Sequence, residues 1–125
     1  GTVLGDATEL QSSAAVFEGC SEVAIGSLKS NLGHMITAAG VAGLIKVLEA
    51  MRHGVRPATL HTEAANPALD GLPFRLLAQR EAWPAQGPRI AGISAFGFGG
   101  NNFARAVAMD RTPPTGYQTP SETCI

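Results

Sequence analysis

The sequence predicts an α/β fold, on three observations. Ile36, Gly40, Gly43, Leu44, Val47, Leu48 and Met51 recur at spacings of three and four, which traces one face of a helix from about Met35 to His53. A short β-branched run, Val23 to Ile25, ended by Gly26 and Ser27, reads as a buried strand feeding a loop. Further on, "RIAGISAFG" (89–97) and "NFARAVAM" (102–109) have strand composition on either side of the glycine cluster "GFGG", which predicts a hairpin-like pair.

In chain order, "GDATEL" at 5–10 opens a first helix. Asp6 can cap its amides and Glu9, three residues on, can complete a capping box, with the helix running to near Gly19. The strand at 23–25 then leads into "KSNLGH" (29–34), read as a loop. The following helix begins with the small-residue run "TAAGVAG", in which two glycines each cost about 1 kcal/mol of helix propensity. That cost predicts close packing against another backbone. Gly54 stops this helix and Pro57 confirms the stop. Residues 57–88 hold five of the eight prolines and read as extended or looped chain on the surface, with a short strand at Phe74 to Leu77. From Asp110 onward, "DRTPPTGYQTPSETCI" is polar and aperiodic, so the chain divides into a folded portion, 1–109, and a linker or tail, 110–125.

Composition narrows the function. At 125 residues with 45% hydrophobic content, the chain is of a size to bury one core. Nine basic and ten acidic residues, net charge −1, with no run of either sign, give no electrostatic footprint for nucleic acid or an anionic membrane. Cys20 and Cys124 form no C-x-x-C pair and point to neither a zinc cluster nor a disulfide framework, which makes a reducing cytoplasm the simplest setting. No window approaches the roughly 20 apolar residues of a membrane span. The chain opens at Gly1 rather than Met, which predicts a piece of a longer polypeptide.

Several motifs fail on inspection. "GFGGNN" lacks the third glycine of G-x-G-x-x-G and the ending of a phosphate-binding P-loop. "GISAFG" has Phe96 where a hydrolase nucleophile elbow demands glycine, leaving Ser94 as a small residue in a packed strand. His34, His53 and His61 have no metal-ligand spacing, so no metal is predicted. His53 reads as a helix C-terminal residue and His61 as a surface loop residue.

His34 stands apart. Glycine precedes it and a small-residue helix follows, so its imidazole lies at a helix N-terminus, where orphan amides and the positive dipole end favour a neutral ring that donates an N–H. Lys29, five residues earlier, adds a like charge that acts in the same direction. Such a group suits stabilising an oxyanion or enolate. The residue chemistry alone leaves this reading level with that of a satisfied structural histidine.

Taken together and in order, "GTVLGDATE", "KSNLGH", "AAGVAGLIK", "PATLHTEAANP" and "SAFGFGGNN" resemble the C-terminal half of β-ketoacyl synthases, most closely the ketosynthase domains of type I polyketide synthases, over residues 1–109. The resemblance implies a partial thiolase-like fold, the C-terminal half of a domain, with a mixed β-sheet packed between helices. It implies decarboxylative Claisen condensation of an acyl thioester with malonyl-carrier protein. His34 then corresponds to the second catalytic histidine and Lys29 to the motif lysine that orders the site. Phe98 corresponds to the residue whose backbone N–H joins the oxyanion hole and whose ring gates the acyl pocket. Thr2, with Gly1 before it, matches the last threonine of H-G-T-G-T, which contacts phosphopantetheine. Asn31 and Gly33, with Gly97, Gly99 and Gly100, support the loops.

By the same resemblance no cofactor is bound directly, since substrates ride on the phosphopantetheine of an acyl carrier protein. The other partners are the remainder of the ketosynthase domain and a second copy in a homodimer. Ala7 stands where the family has proline. Asn101, Phe103 and Ala104 replace the threonine, alanine and histidine of G-F-G-G-T-N-A-H. Gly43 stands where some free-standing fatty-acid synthases carry glutamate, which favours the polyketide type. Neither Cys20, in a loop after a helix, nor Cys124 resembles the family's nucleophile, and the first histidine precedes this chain, so the chain alone is expected to be inactive. The rival readings are a non-catalytic remnant serving as a structural or interaction module, and a fatty-acid-type synthase. A partial domain further predicts an uncovered apolar surface on the helix at 35–53 and the strand at 89–97.

Overall fold

A computed structural model describes residues 2–64, 66–84, 87–97 and 102–109. The tail assigned to 110–125, and Phe98, Gly99 and Gly100 of the glycine cluster, lie outside the described residues.

Helix α1 spans Val3–Val16. Its cap is Thr2, not Asp6: the Thr2 Oγ1 accepts the Gly5 amide at 3.1 Å, and Asp6 falls in the first turn. Gly5 makes the close approach, since a Cβ there would stand 2.7 Å from Thr2 Oγ1. The helix stops short of Gly19 because the Phe17 amide is shared between the Ser13 and Ala14 carbonyls, and Cys20 closes a turn onto the Phe17 carbonyl at 3.0 Å. Phe17 meets Phe74 edge to face at 5.9 Å and 79°.

Strand β1 is Val23–Ile25, as its β-branched run predicts. The "KSNLGH" segment is not a plain loop. Lys29–Leu32 form a short helix, α2, because the Leu28 carbonyl accepts from both Asn31 and Leu32. A 3₁₀ turn at Ile36–Ala38 follows, so α3 begins at Ala39 rather than Met35 and ends at His53. Gly54 terminates α3 at φ 64, its amide directed at the Ala50 and Met51 carbonyls. Arg89 completes the end, donating from Nη1 to Met51 O at 2.8 Å and from Nε to Trp83 O at 3.1 Å.

The proline-rich stretch carries more structure than its composition predicts: β2 at Val55–Arg56, a 3₁₀ turn at Pro67–Leu69, β3 at Phe74–Leu76 and β4 at Glu81–Ala82. It is also not all surface, since Thr59 and Leu77 are buried. Strands β5 (Arg89–Phe96) and β6 (Asn102–Met109) pair antiparallel from Arg89–Met109 to Phe96–Asn102, the hairpin expected from the glycine-flanked pair. Among the described residues the strands form three two-stranded ladders: β1 with β3 parallel, β2 with β4 antiparallel, and β5 with β6. Both pairing senses of a mixed sheet are present, but no single sheet unites them.

The glycines of α3 pack as close approach requires. Cβ atoms built at Gly40 and Gly43 would lie 3.2 Å from Ala95 Cβ and 3.6 Å from Ile93 Cγ2, so the helix lies almost directly on β5. Met51 is fully enclosed and Ile93 nearly so. Ser94 falls on the exposed face of β5, opposite Ile93 and Ala95, and is not packed. The far side of α3 is open: Val41 and Ile45 are 62% and 57% exposed, and Ile90 on β5 is 64% exposed. Among the described residues no helix is long and apolar enough to cross a membrane.

Candidate active site

The Lys29–His34 segment is held from both ends. Upstream, Ser27 Oγ accepts the Lys29 amide at 3.2 Å, setting the first turn of α2. Downstream, the Gly33 amide donates to the Lys29 carbonyl at 2.9 Å, so the residue before His34 is tied to the backbone of the lysine. Gly33 has φ 76 and ψ −178, a conformation essentially confined to glycine, although nothing stands within 4 Å of where a Cβ would go. Backbone strain, not crowding, fixes its identity. Asn31 is exposed, and its Oδ1 accepts from Ser30 Oγ at 3.3 Å.

His34 is exposed, and its Nδ1 accepts the Ile36 amide at 3.0 Å. An acceptor nitrogen carries no proton, so the proton of the neutral ring resides on Nε2, which faces away as a donor. Ile36 adopts φ 48, an uncommon conformation for a β-branched residue, directly beside this bond. The amide that orients His34 thus belongs to the turn before α3, not to α3 itself, whose N-cap is Ala38.

Thr2 lies exposed at the start of α1. Its hydroxyl oxygen is engaged as the helix cap, which leaves the O–H as a donor. Glu9, which sequence reasoning used only as a capping partner, belongs near Lys29. Burial raises its carboxyl above the ordinary range, the Lys29 ammonium opposes that rise and Asp6 reinforces it. Thr2, Asp6 and Glu9 are spaced as i, i+4 and i+7 on one face of α1, but that spacing carries no sign of Lys29, 20 positions on. The charge of Lys29 on α2 thus acts on Glu9 of α1. Gly97 is exposed just past β5, and Phe98, expected at the oxyanion hole by resemblance, falls outside the described residues.

His53 ends α3 with Nε2 at 3.4 Å from Glu49 Oε2, and His61 is an exposed loop residue at φ 57, each in the structural place its sequence context predicts. A charged cluster without a sequence signature lies elsewhere. Glu81 Oε1 on β4 accepts from Arg56 Nη1 on β2 at 2.8 Å and from Arg75 Nη2 on β3 at 3.0 Å. Arg75 Nε also reaches Glu22 at 2.9 Å, and Arg56 lies over the Trp83 ring at 5.2 Å. This cluster ties two ladders together.

Comparison with known proteins places the chain in a family. The family described as the C-terminal domain of beta-ketoacyl synthase matches residues 1–63. A phenolphthiocerol/phthiocerol polyketide synthase of Mycobacterium tuberculosis is 44% identical over 123 residues, covering 92% of this chain and 7% of its own length. A spectinabilin polyketide synthase system protein of Streptomyces orinoci is 44% identical over 127 residues, covering 95% of this chain and 6% of its own. Among solved structures, the oxazolomycin ketosynthase domain of Streptomyces albus superimposes with a TM-score of 0.79 at 41% identity, covering 96% of this chain and 21% of that one. The ketosynthase from module 1 of the bacillaene synthase of Bacillus amyloliquefaciens gives a TM-score of 0.81 at 30% identity, covering 88% and 22%. The chain thus spans well under a tenth of the curated relatives and about a fifth of the solved ketosynthase chains. With its thiolase-like partial fold and its match to the C-terminal domain, the chain belongs to the β-ketoacyl synthase family.

Proposed function

We propose that this chain is the C-terminal part of a polyketide synthase ketosynthase, which catalyses decarboxylative condensation of an acyl thioester with a malonyl thioester held on carrier protein. The observation that carries this is the bond from the Ile36 amide to His34 Nδ1, which leaves Nε2 as the donor of the neutral ring, in the segment that carries Lys29. In the reaction, the bond to the malonyl carboxylate breaks and its electrons pass into a thioester enolate as carbon dioxide leaves. His34 Nε2–H donates to the developing oxygen charge. The enolate carbon then attacks the acyl thioester carbonyl, forming the carbon–carbon bond, and the enzyme thiolate departs. That thiolate and a second histidine belong to the remainder of the ketosynthase, on the longer polypeptide.

Within this reading Lys29, kept near Glu9, orders the loop. Thr2 offers its hydroxyl proton to the phosphopantetheine arm, and Phe98 between Gly97 and Gly99–Gly100 completes the oxyanion hole. No cofactor is held by these residues; the arm arrives with the carrier protein. Residues 1–109 form the folded portion and 110–125 a linker. The partners are the carrier protein, the remaining ketosynthase segments and a second copy in a homodimer. The open apolar side of α3, with Val41 and Ile45, supports packing against those remaining segments.

The test is direct. The longer polypeptide, incubated with acyl- and malonyl-loaded carrier protein, should yield a β-ketoacyl thioester detectable by intact mass. Malonyl consumption without condensation, or no turnover, contradicts the proposal.

A further inference from the structure

We infer that Thr59 is a positioning residue for the Lys29–His34 segment, acting through a closed ring of hydrogen bonds. Among the described residues Thr59 is the one polar side chain that is buried, at 8% exposure, although it lies in chain without regular structure. Its Oγ1 accepts the Ser27 amide at 3.2 Å across 32 positions of sequence. The one proton of Ser30 Oγ is shared between the Ser27 carbonyl at 3.4 Å and Asn31 Oδ1 at 3.3 Å, and the same Ser30 oxygen accepts the Leu60 amide at 3.1 Å. Leu60 is covalently next to Thr59, so the ring closes. Ser27 and Ser30 flank Lys29, and Ser27 Oγ also receives the Lys29 amide.

The ring is anchored to the rigid part of the molecule. The Thr59 amide donates to the Leu77 carbonyl at 2.8 Å, and Leu77, itself buried, donates to the Ile25 carbonyl, extending the β1–β3 ladder. Gly26 exists to admit the hydroxyl: a Cβ there would lie 2.7 Å from Thr59 Oγ1. The position of α2 is therefore referred to the ladder through the hydroxyls of Thr59 and Ser30, of which the Thr59 hydroxyl is the buried one. Four residues separate Lys29 from His34, so a shift of α2 is carried through Gly33 to the imidazole. Misplacement by about 1 Å can cost on the order of 100-fold in rate.

The inference rests on the ketosynthase reading for its consequence, not for its geometry, and the experiment separates the two. Thr59→Val keeps the shape and removes the acceptor; Thr59→Ser restores the acceptor and removes a methyl group. In the chain itself, ring-nitrogen NMR shifts of His34 and hydrogen exchange at Ser27 report the geometry. Thr59→Val should move the His34 shifts and expose the Ser27 amide, and Thr59→Ser should leave both near the unmodified protein. In the longer polypeptide, Thr59→Val should lower kcat by about tenfold or more with KM little changed, with Thr59→Ser recovering most of it. Unmoved His34 shifts in Thr59→Val, or equal damage from Val and Ser, would overturn the inference, the latter by showing that volume matters and the hydroxyl does not. An unmodified polypeptide without turnover would contradict the ketosynthase reading alone, since the NMR comparison still decides Thr59. If Thr59→Val does not fold, Ser30→Ala opens the ring at the Leu60 bond, and the same two His34 outcomes apply.

Discussion

The Nδ1 of His34 accepts the amide of Ile36 at 3.0 Å, and Ile36 holds that amide in place with a backbone at φ 48. A β-branched residue in that region stores roughly 1–3 kcal/mol. Ile36 is also 72% exposed, so little burial is lost on truncating it. Ile36→Gly keeps the N–H, relieves the strain and gives back part of the gain as unfolded-chain entropy. The expected outcome is a net stabilisation of about 1 kcal/mol, read from the denaturant midpoint. A lower midpoint would show that the isoleucine side chain supports the turn in some other way.

Gly33 offers the converse test. Its φ 76 and ψ −178 are closed to other residues, while the space around it is open. Gly33→Ala should therefore destabilise by about 1–3 kcal/mol through the backbone alone. It should also displace His34, which follows directly. Equilibrium unfolding measures the first effect and the His34 ring shifts the second; a neutral substitution would mean the turn has another conformation.

The two glycines of α3 should answer differently to alanine. At Gly43 the added Cβ makes ordinary contact with Ile93 at 3.6 Å, and the helix gains propensity, so Gly43→Ala should stabilise by about 0.5–1 kcal/mol. At Gly40 the 3.2 Å approach to Ala95 forces a small displacement that offsets the same gain. Thermal melting of the two variants should rank Gly43→Ala above Gly40→Ala. The reverse order would place β5 on a different part of the helix.

Two carboxylates should give opposite pH dependence. The hydrogen bonds from Arg75 and then Arg56 lower Glu81 from 4.5 to about 2. A lowered acid stabilises the fold above its unfolded value, and that contribution is lost as pH falls from 4.5 toward about 2. Glu9 is raised, chiefly by burial, so its contribution is greatest at low pH and is lost as pH rises through its folded value. Glu81→Gln should flatten the acid limb of a stability-against-pH curve, and Glu9→Gln should stabilise at neutral pH. An unchanged acid limb in Glu81→Gln would show that the bridge between ladders is not formed in solution.

Much of the fold was legible because its signals are local. The periodic apolar face of α3, its stop at Gly54 and the β5–β6 hairpin need only neighbouring residues to be recognised. Asp6 was an acceptable cap by type, but Thr2 won because Gly5 lets the chain close on the threonine oxygen. The short β2 and β4 strands escaped because two-residue ladders leave no period to detect, and Arg56 and Glu81 meet only in the fold, 25 positions apart in sequence. At the site, a neutral, donating His34 was legible from its context, but the amide that orients it was not, because it belongs to the 3₁₀ turn at Ile36–Ala38 and not to the N-terminus of α3. The Glu9–Lys29 and Thr59–Ser27 relationships were not legible either, because they join segments 20 and 32 positions apart.

The central claim is that His34 donates to the charge that develops as malonyl carbon dioxide leaves. The most direct measurement is carbon dioxide release and β-ketoacyl formation by the longer polypeptide carrying His34→Ala. The predicted result is a fall on the order of 100-fold or more in both, with acyl loading of the enzyme thiol retained. Condensation by His34→Ala at the rate of the unmodified protein would contradict the account.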